Sequence, residues 1–289
     1  MPVLNSQPAL PPASAPVRRA ARTFPECANP RCASGWLHLW RKRGVPVIEG
    51  GWLCSPACTR ARVEDLLRRE RAEAHPPATH RHRIPIGLVL LEQGWITHQQ
   101  LKDGLEAQRA GAGMRLGEWL MANRGLDEAR LTQALGLQWS CPVFSLDKHA
   151  AALPVTAVPR ILAESFGFVP LRLTASGILY LAFEDRIDHS LALAIERVTR
   201  LRVESGLLSG SEFRRAEERH RQGRFARARM IEAGNPGLLA EAFANQIEKT
   251  RPFEARLVRL HDLFWLRLWT QPGEGGEAED VIGSVVRFE

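Results

Sequence analysis

The sequence predicts an α+β protein assembled from several small units, and three observations carry that prediction. Four of the five cysteines fall in two close pairs, Cys27/Cys32 and Cys54/Cys58, near the front of the 289-residue chain. A 24-residue pattern of helical spacing occurs twice, 30 positions apart: "PIGLVLLEQGWITHQQLKDGLEAQ" from Pro85 and "RLGEWLMANRGLDEARLTQALGLQ" from Arg115. Behind it, "FVPLRL", "ILYLAF" and "LRVESGLL" read as strands, the first two joined by the turn "TASG" and the third preceded by an amphipathic helix. The expected architecture is a small cysteine knuckle, a duplicated helical-hairpin bundle packed with a small three-stranded α/β domain, and a small C-terminal α+β unit.

The expected divisions are a disordered lead over 1–23, rich in Pro, Ala and Ser, the knuckle with a helix over 24–74, and a linker over 75–83. The duplicated motif follows over 84–138, the α/β half over 139–220, and a helix with a β unit over 221–289. No apolar run has the length of a membrane span, and the N-terminus lacks the basic start and apolar core of a signal peptide. The expectation is a soluble cytoplasmic protein. The net charge is +7, with 35 Arg against 4 Lys. That balance favours anionic partners such as nucleic acid, acidic lipid or a phosphate-bearing ligand, or it reflects an arginine-biased genome and a solvated surface.

Four residues separate Cys27 from Cys32, three separate Cys54 from Cys58, and 21 lie between the pairs. Two short pairs, each on a tight turn, can close a tetrahedral thiolate shell around zinc. The alternative is four free thiols packed with Trp36, Trp40 and Trp52. A four-sulfur shell is closed, so such an ion is structural. His38 is a possible substitute ligand or a packed imidazole. "WLCSPAC" followed by "TRARVEDLLRRERAEA" resembles the second half of a treble-clef zinc knuckle, although the first cysteine pair is wider than usual. The strip Arg41 to Arg43 offers contact to nucleic acid or to protein. Residues 59–74 continue as a helix with Val63, Leu66, Leu67 and Arg71 along one side.

Each copy of the repeat reads as a helical hairpin. Ile86, Val89 and Leu90 give a helix of about two turns, Gly94 ends it, and Thr97 caps the next, with Ile96, Leu101 and Leu105 on one face. The second copy follows with Leu116, Trp119 and Leu120, a turn at Arg124–Gly125, and a helix capped by Asp127. Two such hairpins form a four-helix unit with a pseudo-twofold. Leucines at this spacing are ordinary core. Gly87 and Gly117, however, recur at helix starts, where free N–H groups let an anion approach the backbone. Gln108 and Gln138 recur at the far end.

The two copies resemble the paired motifs of the MshE-N-type domain, found at the N-terminus of ATPases of type II secretion and type IV pili. The resemblance implies cyclic di-GMP as ligand, a two-fold molecule suited to a duplicated site. It maps onto Gly87, Leu90, Gly94, Leu101, Leu105 and Gln108 in the first motif. In the second it maps onto Arg115, Leu116, Gly117, Leu120, Leu131, Leu135 and Gln138. The first motif carries Pro85 where the family has arginine, with Arg83 two residues earlier. The second carries Arg124 in place of its internal glycine. "VPLRLTASGILYLAFEDRID" is similar to the second half of the same domain, with Glu184-Asp185-Arg186 replacing its aspartate-proline. Asp185 and Asp188 lie at a strand-to-helix turn, where capping is the ordinary role. A helix capped by Ser211 closes the half.

No "GK" occurs in the chain, so it holds no P-loop. The remainder reads as a helix over Leu238–Thr250 and two β-like runs, "EARLVRLHDLFWLRLW" and "DVIGSVVRF", with Trp265 and Trp269 as core or as a contact surface. No nucleophile–base pair or open metal shell suggests an enzyme. The reading is a non-catalytic cyclic di-GMP-binding sensor or adaptor with structural zinc, partnered by secretion or pilus assembly proteins. The alternatives are a ligand-free interaction module of such an apparatus and, less favoured, a nucleic-acid-binding zinc protein.

Overall fold

The computed structural model describes residues 27–33, 46–72, 83–111, 113–149, 157–223, 228–272 and 277–286. The lead over 1–23, Trp36, His38, Trp40, the Arg41–Arg43 strip and the linker up to residue 82 lie outside the described residues.

Strands β1 (Val47–Ile48) and β2 (Gly51–Trp52) form a hairpin around Glu49 and Gly50. Both turn residues take positive φ, 47° and 75°, as the tightest two-residue hairpin turn requires. Helix α1 (Pro56–Ala72) follows. Ser55 caps it by accepting from the Cys58 amide at 3.3 Å, and Pro56 sits at its first position, where no N–H is needed. It thus begins three residues before the expected start. Its buried side carries Val63, Leu66, Leu67 and Glu70, while Arg71, expected on that side, is exposed.

The repeat supplies α2 (Ile86–Glu92), α3 (His98–Arg109), α4 (Leu116–Arg124) and α5 (Glu128–Trp139). Gly94, at φ 67°, ends α2. Thr97 caps α3 in a reciprocal box with Gln100. The second copy departs by one residue: α4 continues through Arg124 and closes on Gly125 at φ 64°. Asp127 occupies the N-cap of α5 but its side chain makes no capping bond, contrary to expectation.

The α/β half comprises α6 (Leu146–His149), α7 (Arg160–Phe166), β3 (Phe168–Leu173), β4 (Ile178–Phe183), α8 (His189–Thr199), β5 (Arg202–Leu207) and α9 (Gly210–Arg221). β3 and β4 pair antiparallel across the "TASG" turn, and β5 returns parallel to β4 after α8. Asp188 caps α8, accepting from the Leu191 amide at 3.0 Å. The cap of α9 is Ser209, two residues before the expected Ser211. Ser211 is instead taken by Glu128, which accepts from its amide at 2.9 Å and its hydroxyl at 2.6 Å.

The C-terminal segment contributes β6 (Ala228–Ala233), α10 (Pro236–Thr250), β7 (Glu254–Leu260), β8 (Leu263–Trp269) and β9 (Ala278–Val285). The run "EARLVRLHDLFWLRLW" is therefore two strands turning at His261–Asp262, and β6 is a strand the sequence pattern does not announce. The knuckle and the C-terminal unit, expected as separate bodies, share one six-stranded sheet in the order β2-β1-β7-β8-β9-β6. The join is the parallel pairing of Ile48 with Ala255.

One face of this sheet is covered by α1 and α10, with Leu66, Leu67, Phe243 and Ile247 against Leu257, Leu266 and Val281. Gly283 lets α10 sit close: a Cβ there would lie 2.5 Å from Leu239 Cδ1. The other face, through Val258, Leu260, Trp265 and Ile282, packs with Leu191, Ile195 and Val198 of α8 and with Leu179 and Leu181 of β4. Helix α8 thus lies between two sheets, and α9 covers the far side of the smaller one with Phe213 and Ala216. Among the described residues, no helix is long and apolar enough to cross a membrane.

The sheet face toward α8 also buries charge. Trp265 Nε1 donates to Asp280 Oδ1 at 2.6 Å, and Arg267 Nη1 lies 3.8 Å from the same oxygen and donates to the Ala157 carbonyl. Burial raises the Asp280 carboxyl above its ordinary range and lowers the Arg267 guanidinium, so each ion depends on the other. Arg267→Met and Asp280→Asn should each destabilise by about 3–5 kcal/mol, because each strands its buried partner. In denaturant unfolding, the double variant should lose clearly less than the sum; additive losses would show that the two charges do not act as a pair.

Candidate functional site

The duplicated motif closes on itself reciprocally. α2 of the first copy packs on α5 of the second, and α4 of the second on α3 of the first. Gln138 Nε2 donates to the Ile84 carbonyl at 2.7 Å, and Gln108 Nε2 to the Met114 carbonyl at 3.4 Å. In the repeat register Gln108 answers to Gln138 and Ile84 to Met114. Each copy's last glutamine therefore holds the chain just ahead of the other copy, and the four helices form a closed pseudo-twofold.

The two recurring glycines serve packing. A Cβ on Gly87 would lie 2.6 Å from Leu101 Cδ1, and one on Gly117 would lie 2.8 Å from both methyls of Leu131. Leucine fills the space expected to be open to an anion, and it does so identically in both copies. Leu90, Leu116 and Leu120 are buried in the bundle core with Val89, Ile96 and Ala134. Of the thirteen residues onto which the resemblance maps, Arg115, Gln108 and Gln138 keep polar side chains at the surface.

The charges are not symmetric. Arg115, 70% exposed, is bonded through Nη1 to Asp185 Oδ2, in the turn between β4 and α8. Its counterpart Pro85 precedes α2 and offers no donor. Arg83 does not take its place: its guanidinium lies over the Trp139 ring, 3.3 Å from the centroid. Asp185, expected as a cap, therefore joins the repeat to the α/β half, and Glu128 with Ser211 makes a second tie nearby. Sequence reasoning missed both ties. The only signal was "FEDRID", where an acidic pair stands in place of aspartate-proline.

The four cysteines converge from two turns. Each of the four Sγ atoms lies within 4.8 Å of the others, with Cys32–Cys54 at 3.5 Å and Cys54–Cys58 at 3.7 Å. A tetrahedral zinc–thiolate shell has S···S edges of about 3.8 Å, so the cluster fits that ion. The turn is built for it: Cys32 N donates to Asn29 O at 3.0 Å, and Ala28 N donates to Trp52 O at 2.8 Å. Gly51 admits Ala28, whose Cβ would be 2.4 Å from a side chain there. Amides of Asn29 and Cys54 donate to the Cys27 sulfur, the arrangement that stabilises a thiolate. Burial, with the neighbouring Cys54 and Cys58 sulfurs, outweighs those two bonds and pushes the Cys27 thiol up to about 12. Cys141 stands apart, its thiol pushed up to about 11 by burial.

No family model matches the chain, and no curated protein matches it. Among solved structures it is similar to that of MshE with cdg, at 25% identity over 48% of this chain and 99% of that chain, with a TM-score of 0.40. It is also similar to the N-terminal domain of XpsE in two crystal forms. One is 21% identical over 46% of this chain and 92% of that chain, with a TM-score of 0.33. The other is 22% identical over 46% and 93%, with a TM-score of 0.27.

Gly87→Ala should destabilise by about 1–3 kcal/mol through overpacking, and its cost should nearly vanish in a Leu101→Ala background. An unchanged cost in that background would assign the glycine some role other than receiving Leu101. Metal-free protein should take up about one zinc ion per chain, releasing protons as it binds and losing affinity as pH falls. Cys58→Ser should abolish stoichiometric uptake in a metal titration; full uptake by that variant would remove these sulfurs as the ligands.

Proposed function

We propose that the protein is a non-catalytic sensor or adaptor whose helical repeat binds cyclic di-GMP and whose four-cysteine cluster holds a structural zinc ion. The observation that carries the reading is the reciprocal closure of the repeat through Gln108 and Gln138. A two-fold frame presents equivalent backbone to both halves of a two-fold ligand. Arg115 adds a guanidinium, which pairs with phosphate or with the acceptor edge of guanine. The motif resemblance supplies the ligand's identity. The cysteine site has no open coordination position, so its ion holds the fold and does no chemistry.

A second reading has its own support. Arg115 is engaged by Asp185, and Pro85 removes the other arginine, so the repeat also suits a ligand-free module that docks a secretion or pilus assembly protein. In that case the exposed helices carry the contact and nucleotide changes nothing.

Isothermal titration separates the two. Cyclic di-GMP should bind the purified protein with micromolar affinity and raise its Tm. Arg115→Ala should weaken binding by about tenfold or more. No heat with micromolar protein and ligand would overturn the nucleotide reading, and partner capture that is indifferent to nucleotide would then favour the docking module.

A further inference from the structure

We infer a binding site for a small nucleoside phosphate in the cleft between the turn of the smaller sheet and the end of the larger one. The cleft has a volume of about 930 Å³, within the range of roughly 300–1,000 Å³ usual for small-molecule sites. Its first wall is the β3–β4 turn, where the Thr174 and Ser176 hydroxyls lie 2.9 Å apart. Its second is the passage from α8 into β5, carrying Arg200 and Arg202. Its third is the start of β7 and the end of β8, carrying Phe253 and Trp269.

Two features set this cleft apart from a packing fault. Phe253 is 49% exposed, and neither Phe253 nor Trp269 belongs to any apolar core among the described residues. The two are held together at the rim by the Phe253 amide donating to the Trp269 carbonyl at 2.8 Å. The exposed Phe253 ring, with the partly buried Trp269 beside it in the lining, is a ready stacking surface for a planar ring, and base–aromatic stacking tolerates any base.

The charge is the second feature. Among the described residues that line the cleft, Glu254 is the one acidic residue. Its carboxylate is already shared, bonded to Arg200 and accepting from Arg256 Nε at 2.9 Å. Arg202 is 72% exposed, and its contact with Glu204 is a loose 3.4 Å. An exposed pair of that length is weak and readily exchanged for phosphate, which takes a guanidinium in a charge-assisted fork. Aromatic rim, surplus guanidinium and hydroxyl turn together match a ring joined to a phosphate.

The full chain can be titrated with GMP, with AMP and with inorganic phosphate, reading tryptophan fluorescence and heat. Both nucleotides should bind saturably. Phe253→Ala and Arg202→Glu, both at exposed side chains, should each weaken binding by about tenfold or more with Tm unchanged. Arg202→Lys should recover part of the loss, and Arg115→Ala should bind as the parent does. Five results would each overturn the site: no saturation at millimolar nucleotide, an equal response to inorganic phosphate, parental affinity in both weakened variants, loss of binding in Arg115→Ala, or binding of a single-stranded oligonucleotide with none of a mononucleotide. The Arg115→Ala arm keeps this outcome distinct from that of the repeat.

Discussion

One buried carboxylate joins the knuckle's helix, the α/β half and the larger sheet. Glu70, near the end of α1, is 3% exposed. It accepts from Arg197 Nη2 at 2.6 Å and Nη1 at 3.3 Å, from Arg69 at 3.2 Å, and from the Arg259 amide at 3.1 Å. These donors come from α8, from α1 itself and from β7. A buried carboxylate is tolerable only when fully bonded, and here the bonds from Arg197 and from the Arg259 amide tie the knuckle's helix to α8 and β7. Arg197 also ties onward, since its carbonyl accepts from Arg256 at 2.7 Å. The helix between the two sheets, the larger sheet and the cysteine-bearing helix therefore share one polar junction.

That junction changes what the cysteine cluster is for. Cys58 lies in the first turn of α1 and Glu70 near its last, so the helix is pinned at both ends. Between them, Thr59 donates to Glu248 and Val63, Leu66 and Leu67 meet α10 and the sheet. The β1–β2 hairpin is held from above as well, with Glu49 taking a two-pronged bond from Arg69 at 2.8 and 2.9 Å. Two two-residue strands would not persist alone. They persist because α1 and β7 hold them, and the sulfur cluster in turn sits on the framework they complete. An ion held there would stabilise the edge of the larger sheet, not an independent finger.

The sequence carried the local elements well and the long-range joins poorly. The three strands of the smaller sheet, the helix between them and both hairpins of the repeat follow from periodicity and turn residues, which act over a few positions. The pairing of Ile48 with Ala255 leaves no such trace, because β1 is only two residues long and meets β7 at that one pair. β6, "ARMIEA", is largely exposed and charged, so its apolar alternation is too weak to mark a strand. Thr97 and Asp188 cap as their positions imply, but Asp127 and Ser211 do not, since Glu128 and Ser211 satisfy each other across the chain. Paired spacing made the cysteine cluster legible. The glycines of the repeat were legible as special but not as packing positions, because only the structure shows Leu101 and Leu131 filling the space before them.

The repeat therefore has a symmetric frame with asymmetric chemistry. Its packing obeys the pseudo-twofold to the level of single contacts: glycine against leucine, glutamine against carbonyl, cross-copy helix against helix. Its charge does not, because Arg115 has only Pro85 for a counterpart and Arg83 is spent on Trp139. Asp185 takes that one motif arginine, so its guanidinium is joined to the α/β half. An anion arriving at Arg115 must compete with a carboxylate, and winning that competition loosens a polar tie between the repeat and the half that α8 locks to the rest. Under the proposed function, ligand affinity and the seating of the repeat would be the same equilibrium seen from two sides, set by the asymmetric charge and not by the symmetry that makes the bundle stable.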